Sequence, residues 1–250
     1  MDMPKTVLIT GASAGIGAAT ALAAARAGYD VAIGYHADKA GAEATAEKIR
    51  TLGRKAVVIQ GDVSNPKDVE AMFDAFDAEF EELGVLINNA GIVDTAQRVE
   101  EMSHDRLKRM FGVNTIGPFL CAKQAAIRMA YRYGGAGGVI VNVSSIAARL
   151  GSSGMYVDYA ASKAAVDVLT KGMGDEMAAD HVRVVGVSPG VIDTEIHAKG
   201  GQPNRVANMG NALPMKRAGT VDEVADTILF LMSEKASYIS GTSVEVSGAR

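Results

Sequence analysis

The sequence predicts an α/β protein with a doubly wound parallel sheet. Short apolar segments alternate with helical ones almost without a break, and the short segments are apolar at successive positions rather than at every second one. Strands covered by helices on both faces read as continuous hydrophobic runs. Helical crossovers between such strands take one hand and leave them parallel.

Each element has a local reason. Residues 7–9 form a first apolar strand that runs into a glycine-rich turn, and 16–27 is an alanine-rich helix stopped by Gly28. A second strand at 31–33 leads to a polar-faced helix over 38–52, closed by Gly53. A third strand at 56–59 ends at Gly61-Asp62. Asn65-Pro66 then opens a helix through Phe73, Phe76 and Phe80, with proline suited to its first turn. The fourth strand, 85–87, precedes Asn88-Asn89-Ala90-Gly91, and 103–132 reads as a helical region broken at Gly117-Pro118. The fifth strand, 139–143, ends at Ser144-Ser145, and a helix spans 157–177. The sixth strand, 182–187, stops at Ser188-Pro189-Gly190. An irregular segment, 193–219, has the length of a functional loop. Thr220 and Glu223 form a capping box for a helix to 232, and 244–246 is the seventh strand. No linker or repeat interrupts the pattern, so residues 1–250 are read as one domain with 193–219 as its substrate-binding loop.

Composition excludes several classes. A net charge of −4 gives no attraction to nucleic acid or an anionic membrane. Aromatic residues are 5% with no tryptophan, which argues against stacking platforms. Cys121 is the only cysteine and sits in an apolar helical run as core filler. No apolar run reaches the roughly 20 residues of a spanning helix, and residues 1–5 lack the pattern of a secretion signal. A cytoplasmic protein is expected. His36, His104, His181 and His197 share no metal-ligand spacing, so no metal is expected; His197, in the loop, is a candidate for touching substrate. Glu79, Glu81 and Glu82 read as a solvated face.

Two motifs carry chemistry. Gly11, Gly15 and Gly17 lie between a strand and a helix. There glycine lets the backbone approach a pyrophosphate and the helix N-terminus offers unpaired N–H groups. Tyr159 and Lys163 stand at i and i+4 of a helix, hence on one face. A fixed ammonium beside a phenol favours the phenolate, which suits the tyrosine to proton transfer near neutral pH. Tyr156 is a rival, but it lies about two turns, roughly 10 Å, from Lys163; it is expected at the pocket rim or in the core.

The order Thr10-Gly11-Ala12-Ser13-Ala14-Gly15-Ile16-Gly17, Asp62-Val63, Asn88-Asn89-Ala90-Gly91, Asn114, Ser145, Tyr159, Lys163, Pro189-Gly190 and Thr194 resembles the short-chain dehydrogenase/reductase family over essentially the whole chain. The run from Ser144 to Lys163 is similar to glucose-dehydrogenase-like members. The resemblance implies a Rossmann fold and an NAD(P)-dependent oxidoreductase acting on a carbonyl, a secondary alcohol or a sugar. It implies a catalytic set of Asn114 (in a proton relay), Ser145, Tyr159 and Lys163. It implies a cofactor site from Gly11, Ser13, Ala14, Gly15, Ile16, Gly17, Tyr35, His36, Asp62, Val63, Asn89, Ala90, Gly91, Tyr159, Lys163, Pro189, Gly190, Ile192 and Thr194. A homotetramer packed through the long helices and the C-terminal edge is implied as well. The stretch from Ser145 to Tyr159 is one residue longer than in many members; Ser145 is preferred over Ser144, which follows directly on the strand. The alternatives are a 3-oxoacyl-[acyl-carrier-protein] reductase, a non-catalytic dinucleotide sensor and a methyltransferase with a similar turn; the last would not explain Tyr159 and Lys163.

The second strand's tip bears on the cofactor. A carboxylate there would accept from a ribose hydroxyl and repel a 2′-phosphate. Here the sequence is Gly34-Tyr35-His36-Ala37, with Lys39 close by and Asp38 as the cap of the next helix or bent back toward the ribose. NADP(H) is favoured over NAD(H).

Overall fold

The computed structural model describes residues 3–194, 198, 200–209 and 212–250. Seven strands, β1 (Thr6–Ile9), β2 (Asp30–Tyr35), β3 (Ala56–Gln60), β4 (Val85–Asn88), β5 (Gly138–Val143), β6 (Val182–Pro189) and β7 (Thr242–Val246), form one sheet. Its order is β3-β2-β1-β4-β5-β6-β7, and every pairing is parallel. The order reverses between β1 and β4, and the carboxyl ends of the strands there open a crevice.

Alternation within the strands splits the core. Val7 and Ile9 pack with α1 (Gly15–Arg26), α2 (Lys39–Thr51) and α9 (Val221–Met232) on one face. Leu8, Leu86 and Ile140 pack with α3 (Pro66–Asp77), α5 (Gly117–Met129) and α7 (Val157–Met177) on the other. The caps act as the sequence indicates. Asn65 accepts from Lys67 N at 3.0 Å, and Thr220 and Glu223 close a reciprocal box. Asp38 accepts from Gly41 N at 2.9 Å, so it caps α2.

Three segments differ from the sequence reading. The expected break at Gly117-Pro118 is a π turn over Gly112–Ile116 joining α4 (His104–Phe111) to α5, so the helical path never interrupts. Pro118 lies in the first turn of α5, where a missing N–H costs little. A short helix, α6 (Ala147–Leu150), follows β5. The segment 193–219 is pinched at its base, with Asp193 N donating to Gly219 O and Gly219 N to Val191 O, both at 2.9 Å, and it carries α8 (Arg205–Met209).

Candidate active site

The site begins with backbone that favours glycine. Gly11 and Gly15 have φ of +64° and +57°, a region where a Cβ collides with the following carbonyl. A methyl at Gly11 would also lie 2.9 Å from Ala90 Cα, and one at Gly17 would lie 2.5 Å from both Asn89 Nδ2 and Gly11 O. The end of β4 therefore presses on the turn. Thr10 Oγ1 accepts from Asn89 N and Ala90 N, each at 3.0 Å, and Asn89 Nδ2 donates to Thr10 O and Gly11 O, each at 2.9 Å. This lash fixes the turn ahead of α1, whose cap residue Ala14 offers no side-chain acceptor. The first N–H groups of α1 are left to a ligand.

A cleft of 490 Å³ runs from this turn in two directions. Toward β2 and β3 it is lined by Tyr35, His36, Ala37, Asp38, Asp62 and Val63. Tyr35 is buried, while His36 is exposed with Nε2 3.9 Å from Asp62 Oδ2. Asp62 is itself held, its Oδ1 accepting from Ser64 N at 2.9 Å and Ser64 Oγ at 2.7 Å.

In the other direction the cleft reaches Ser145, Tyr159 and Lys163, which approach from β5 and α7. Lys163 is 4% exposed, and Nζ donates to Val143 O at 2.8 Å. Burial lowers its pKa to about 8, and the nearby Asp167 carboxylate opposes the shift. Nζ lies 5.9 Å from the centre of the Tyr159 ring. A Cβ on Gly91 would stand 3.4 Å from Nζ, so glycine keeps space open beside the ammonium. Ser144 Oγ donates to Lys163 O at 3.1 Å and is buried, whereas Ser145 Oγ accepts from Ala147 N at 3.1 Å. The two serines thus make different contacts.

Asn114 is fully buried and does not line the cleft. The π turn aims its amide inward. Oδ1 accepts from Ile92 N at 2.8 Å, and Nδ2 donates to Ile92 O at 2.9 Å and Ser162 Oγ at 3.1 Å. Ser162 Oγ in turn donates to Tyr159 O at 2.7 Å. Gly17 likewise lies behind the turn rather than in the cleft. The other sequence-predicted residues, from Gly11 to Thr194, all line it. Tyr156 lines it too and is buried, with its hydroxyl donating to Gly200 O at 3.2 Å. His197 lies outside the described residues.

Sequence reading passed over one buried ion pair. Arg106 on α4 grips Asp158, the residue before Tyr159, through Nε–Oδ2 at 2.7 Å and Nη2–Oδ1 at 3.2 Å. Its Nη1 donates to Thr95 O at 2.7 Å and Gln97 Oε1 at 2.8 Å, so the segment after β4 is tied to the start of α7. Both side chains are nearly inaccessible. Neither residue was singled out in the sequence, and no local pattern announces a partner 52 positions away.

Residues 11–248 match the family model described as enoyl-(acyl carrier protein) reductase. The chain belongs to the short-chain dehydrogenase/reductase family. It is an oxidoreductase of that family. An oxidoreductase of Escherichia coli K12, YgfF, is 48% identical over 97% of this chain and 98% of its own. Among solved structures, the 3-ketoacyl-(acyl-carrier-protein) reductase of Brucella melitensis, complexed with NADH, superposes with a TM-score of 0.91. It is 32% identical and covers 98% of both chains. A blue fluorescent protein from a metagenomic library, in complex with NADPH, reaches 0.89 at 30% identity over 98% of this chain and 97% of its own. Of these three relatives only the Brucella protein's name states a substrate, so the substrate must be argued from the cleft.

Proposed function

We propose that the cleft binds NADP(H) and that the protein interconverts a ketone or aldehyde with the corresponding alcohol or sugar. The observation that carries this reading is that Ser145, Tyr159 and Lys163 line the same cleft as the glycine turn. The turn has the room and donors a pyrophosphate requires: positive φ at Gly11 and Gly15, and no side-chain cap at Ala14. Ser13, Gly15, Ile16 and Thr194 would hold the phosphates. Asp62, Val63, Asn89 and Ala90 would hold the adenosine half. Gly91, Pro189, Gly190, Ile192 and Lys163 would hold the nicotinamide half. The nicotinamide cofactor supplies the hydride chemistry when bound.

The chain's own residues manage the proton. Tyr159 Oη donates to the substrate oxygen in reduction and accepts from it in oxidation. Lys163, protonated below about pH 8, favours the phenolate across their shared helix face. Ser145 Oγ hydrogen-bonds the same substrate oxygen and aligns it. General acid–base help of this kind is worth about 10²–10⁴ in rate. Asn114, with its amide already engaged, acts by holding Ile92 and the turn of α7 that carries Tyr159.

Preference for NADP(H) is supported by the β2 tip. Tyr35 stands there instead of a carboxylate, His36 is exposed at the lip, and Asp38 is committed to its cap. Comparing kcat/KM for NADPH and NADH tests it, and a clear NADH preference refutes it. A homotetramer is supported by exposed Ile116, Phe119 and Ile127 along α5 and its leading turn, Val168 on α7, and Tyr238 near the β7 edge. A monomer in sedimentation would refute that state. A reducing, cytoplasmic setting agrees with buried Cys121, whose thiol burial pushes up to about 12. A second reading, reduction of 3-oxoacyl thioesters, is favoured by the name of the Brucella relative. A panel of ketones, aldehydes, sugars and one 3-oxoacyl thioester, run with both cofactors and followed by cofactor absorbance, separates the two. Turnover of none of them contradicts both.

A further inference from the structure

The wall of the cleft beyond Ser145 is largely apolar, built from Ile92, Val93, Ile146, Leu150 and Val191. One charged side chain interrupts it among the described residues, Arg250. The other charged or titratable lining groups lie elsewhere: His36, Asp38 and Asp62 toward the β2 and β3 tips, and Lys163 at the catalytic centre.

Arg250 is held there by the turn that follows β7. After β7, Gly248 and Ala249 both adopt left-handed backbone, with φ of +62° and +68°. For alanine that conformation is unfavourable, and such strain persists where surroundings impose it. The double turn carries residue 250 back over α6. There Arg149 clamps it: Nη2 donates to Arg250 O at 2.9 Å, while Nε and Nη2 bind Glu245 at 3.0 and 3.3 Å. The charge of Arg149 is thereby engaged. The Arg250 guanidinium has no hydrogen-bond or ion-pair partner among the described residues. Among the described residues, no acidic side chain other than those of Asp38 and Asp62 lines the cleft.

We propose that Arg250 selects a substrate bearing a carboxylate, so that the protein acts on an oxo acid or its hydroxy acid rather than on a neutral ketone or sugar. This rests on the oxidoreductase reading of the site and narrows its substrate class. The planar fork of a guanidinium matches a carboxylate in a bidentate pair. The apolar residues that line the same cleft, among them Ile146, Leu150 and Val191, suit the carbon chain linking that carboxylate to the reacting carbonyl. A carboxylate is ionised and arginine charged at pH 7, so the pairing operates there in full.

The test uses the full chain with NADPH and NADH at pH 7 on 2-, 3- and 4-oxo acids of four to eight carbons, each beside its methyl ester. The acid should exceed its ester in kcat/KM by about tenfold for at least one chain length, the size of one charge-assisted hydrogen bond. In Arg250→Gln that acid-to-ester ratio should fall toward one, and Arg250→Lys, which keeps the charge, should retain most of it. Esters turned over as well as acids by the unaltered protein would overturn the proposal while leaving the oxidoreductase reading intact. So would an acid preference that survives Arg250→Gln. No turnover of any acid or ester with either cofactor would overturn this proposal, and turnover of a neutral ketone, aldehyde or sugar in the same assay would keep the oxidoreductase reading.

Discussion

The two halves of the cleft are held by different means. The half proposed for the cofactor is made of strand ends and tight turns, fixed by backbone conformation and by the lash of Thr10 and Asn89, whose partners are themselves 79 residues apart. The half proposed for the substrate is assembled from the stretch after β4, α6, the start of α7, part of the segment 193–219 and the segment after β7. Long side chains such as Arg106 and Arg149 hold these together. Backbone geometry leaves little room for variation, whereas a clamp of side chains can be changed without disturbing the sheet. One scaffold can therefore keep a cofactor and exchange its substrates.

The contrast can be broken at chosen points. The largest effect is expected at the substrate-side clamp. Asp158→Asn leaves the Arg106 guanidinium buried without its counter-charge, and losing one partner of a buried pair costs about 3–5 kcal/mol. Urea unfolding should show that loss, while the cofactor Kd of the folded fraction stays near that of the parent. Equal damage to both would erase the distinction between the halves.

A smaller loss is expected on the cofactor side. Thr10→Val keeps the shape but removes the acceptor shared by Asn89 N and Ala90 N, and a stranded donor costs about 1–3 kcal/mol. Because those donors sit beside the glycine turn, NADPH should bind about tenfold more weakly. Fluorescence titration checks this, and unchanged affinity would detach the lash from the cofactor.

Where the halves meet, stability and function should oppose each other. Burial sets the folded-state pKa of Lys163, about 8, below that of lysine in an unfolded chain. The unfolded chain then binds more protons between those values, so this group's cost is full below pH 8 and is relieved as pH rises through 8 toward 10.5. Lys163→Met should stabilise the fold by about 2 kcal/mol at pH 7, after the lost bond to Val143 is subtracted. It should also abolish turnover. In the parent, kcat/KM for carbonyl reduction should decline above about pH 8 as Lys163 loses its proton. A profile flat from pH 7 to 9.5 would separate Lys163 from the chemistry.

The smallest effect separates the adjacent serines. Ser144→Ala should lose about 1 kcal/mol of stability, the bond to Lys163 O, and Ser145→Ala should lose turnover instead. The reverse pattern would exchange their assignments.

What the sequence made legible follows the same division. Glycines at a strand–helix junction, Tyr159 and Lys163 on one helix face, and the caps at Asn65 and Thr220 are local patterns, and each matches the described structure. The π turn was not legible, because it depends on Asn114 meeting Ile92 and Ser162 from other elements. Nor was the Arg106–Asp158 pair, whose members are 52 residues apart. Arg250 drew no attention at all: its place in the cleft comes from a left-handed turn at Ala249 that no residue preference announces. The loop 193–219 was recognised as a loop, but its pinched base comes from pairing of Val191 and Asp193 with Gly219.

The central claim is that the phenol of Tyr159 moves the proton in the cleft where the cofactor binds. Tyr159→Phe removes one oxygen and nothing else. Its single-turnover rate with saturating NADPH, measured on the best substrate of the panel alongside the cofactor Kd, should fall by about 10²–10⁴ with the Kd unchanged within about twofold. A rate within tenfold of the parent at the same Kd would contradict the account.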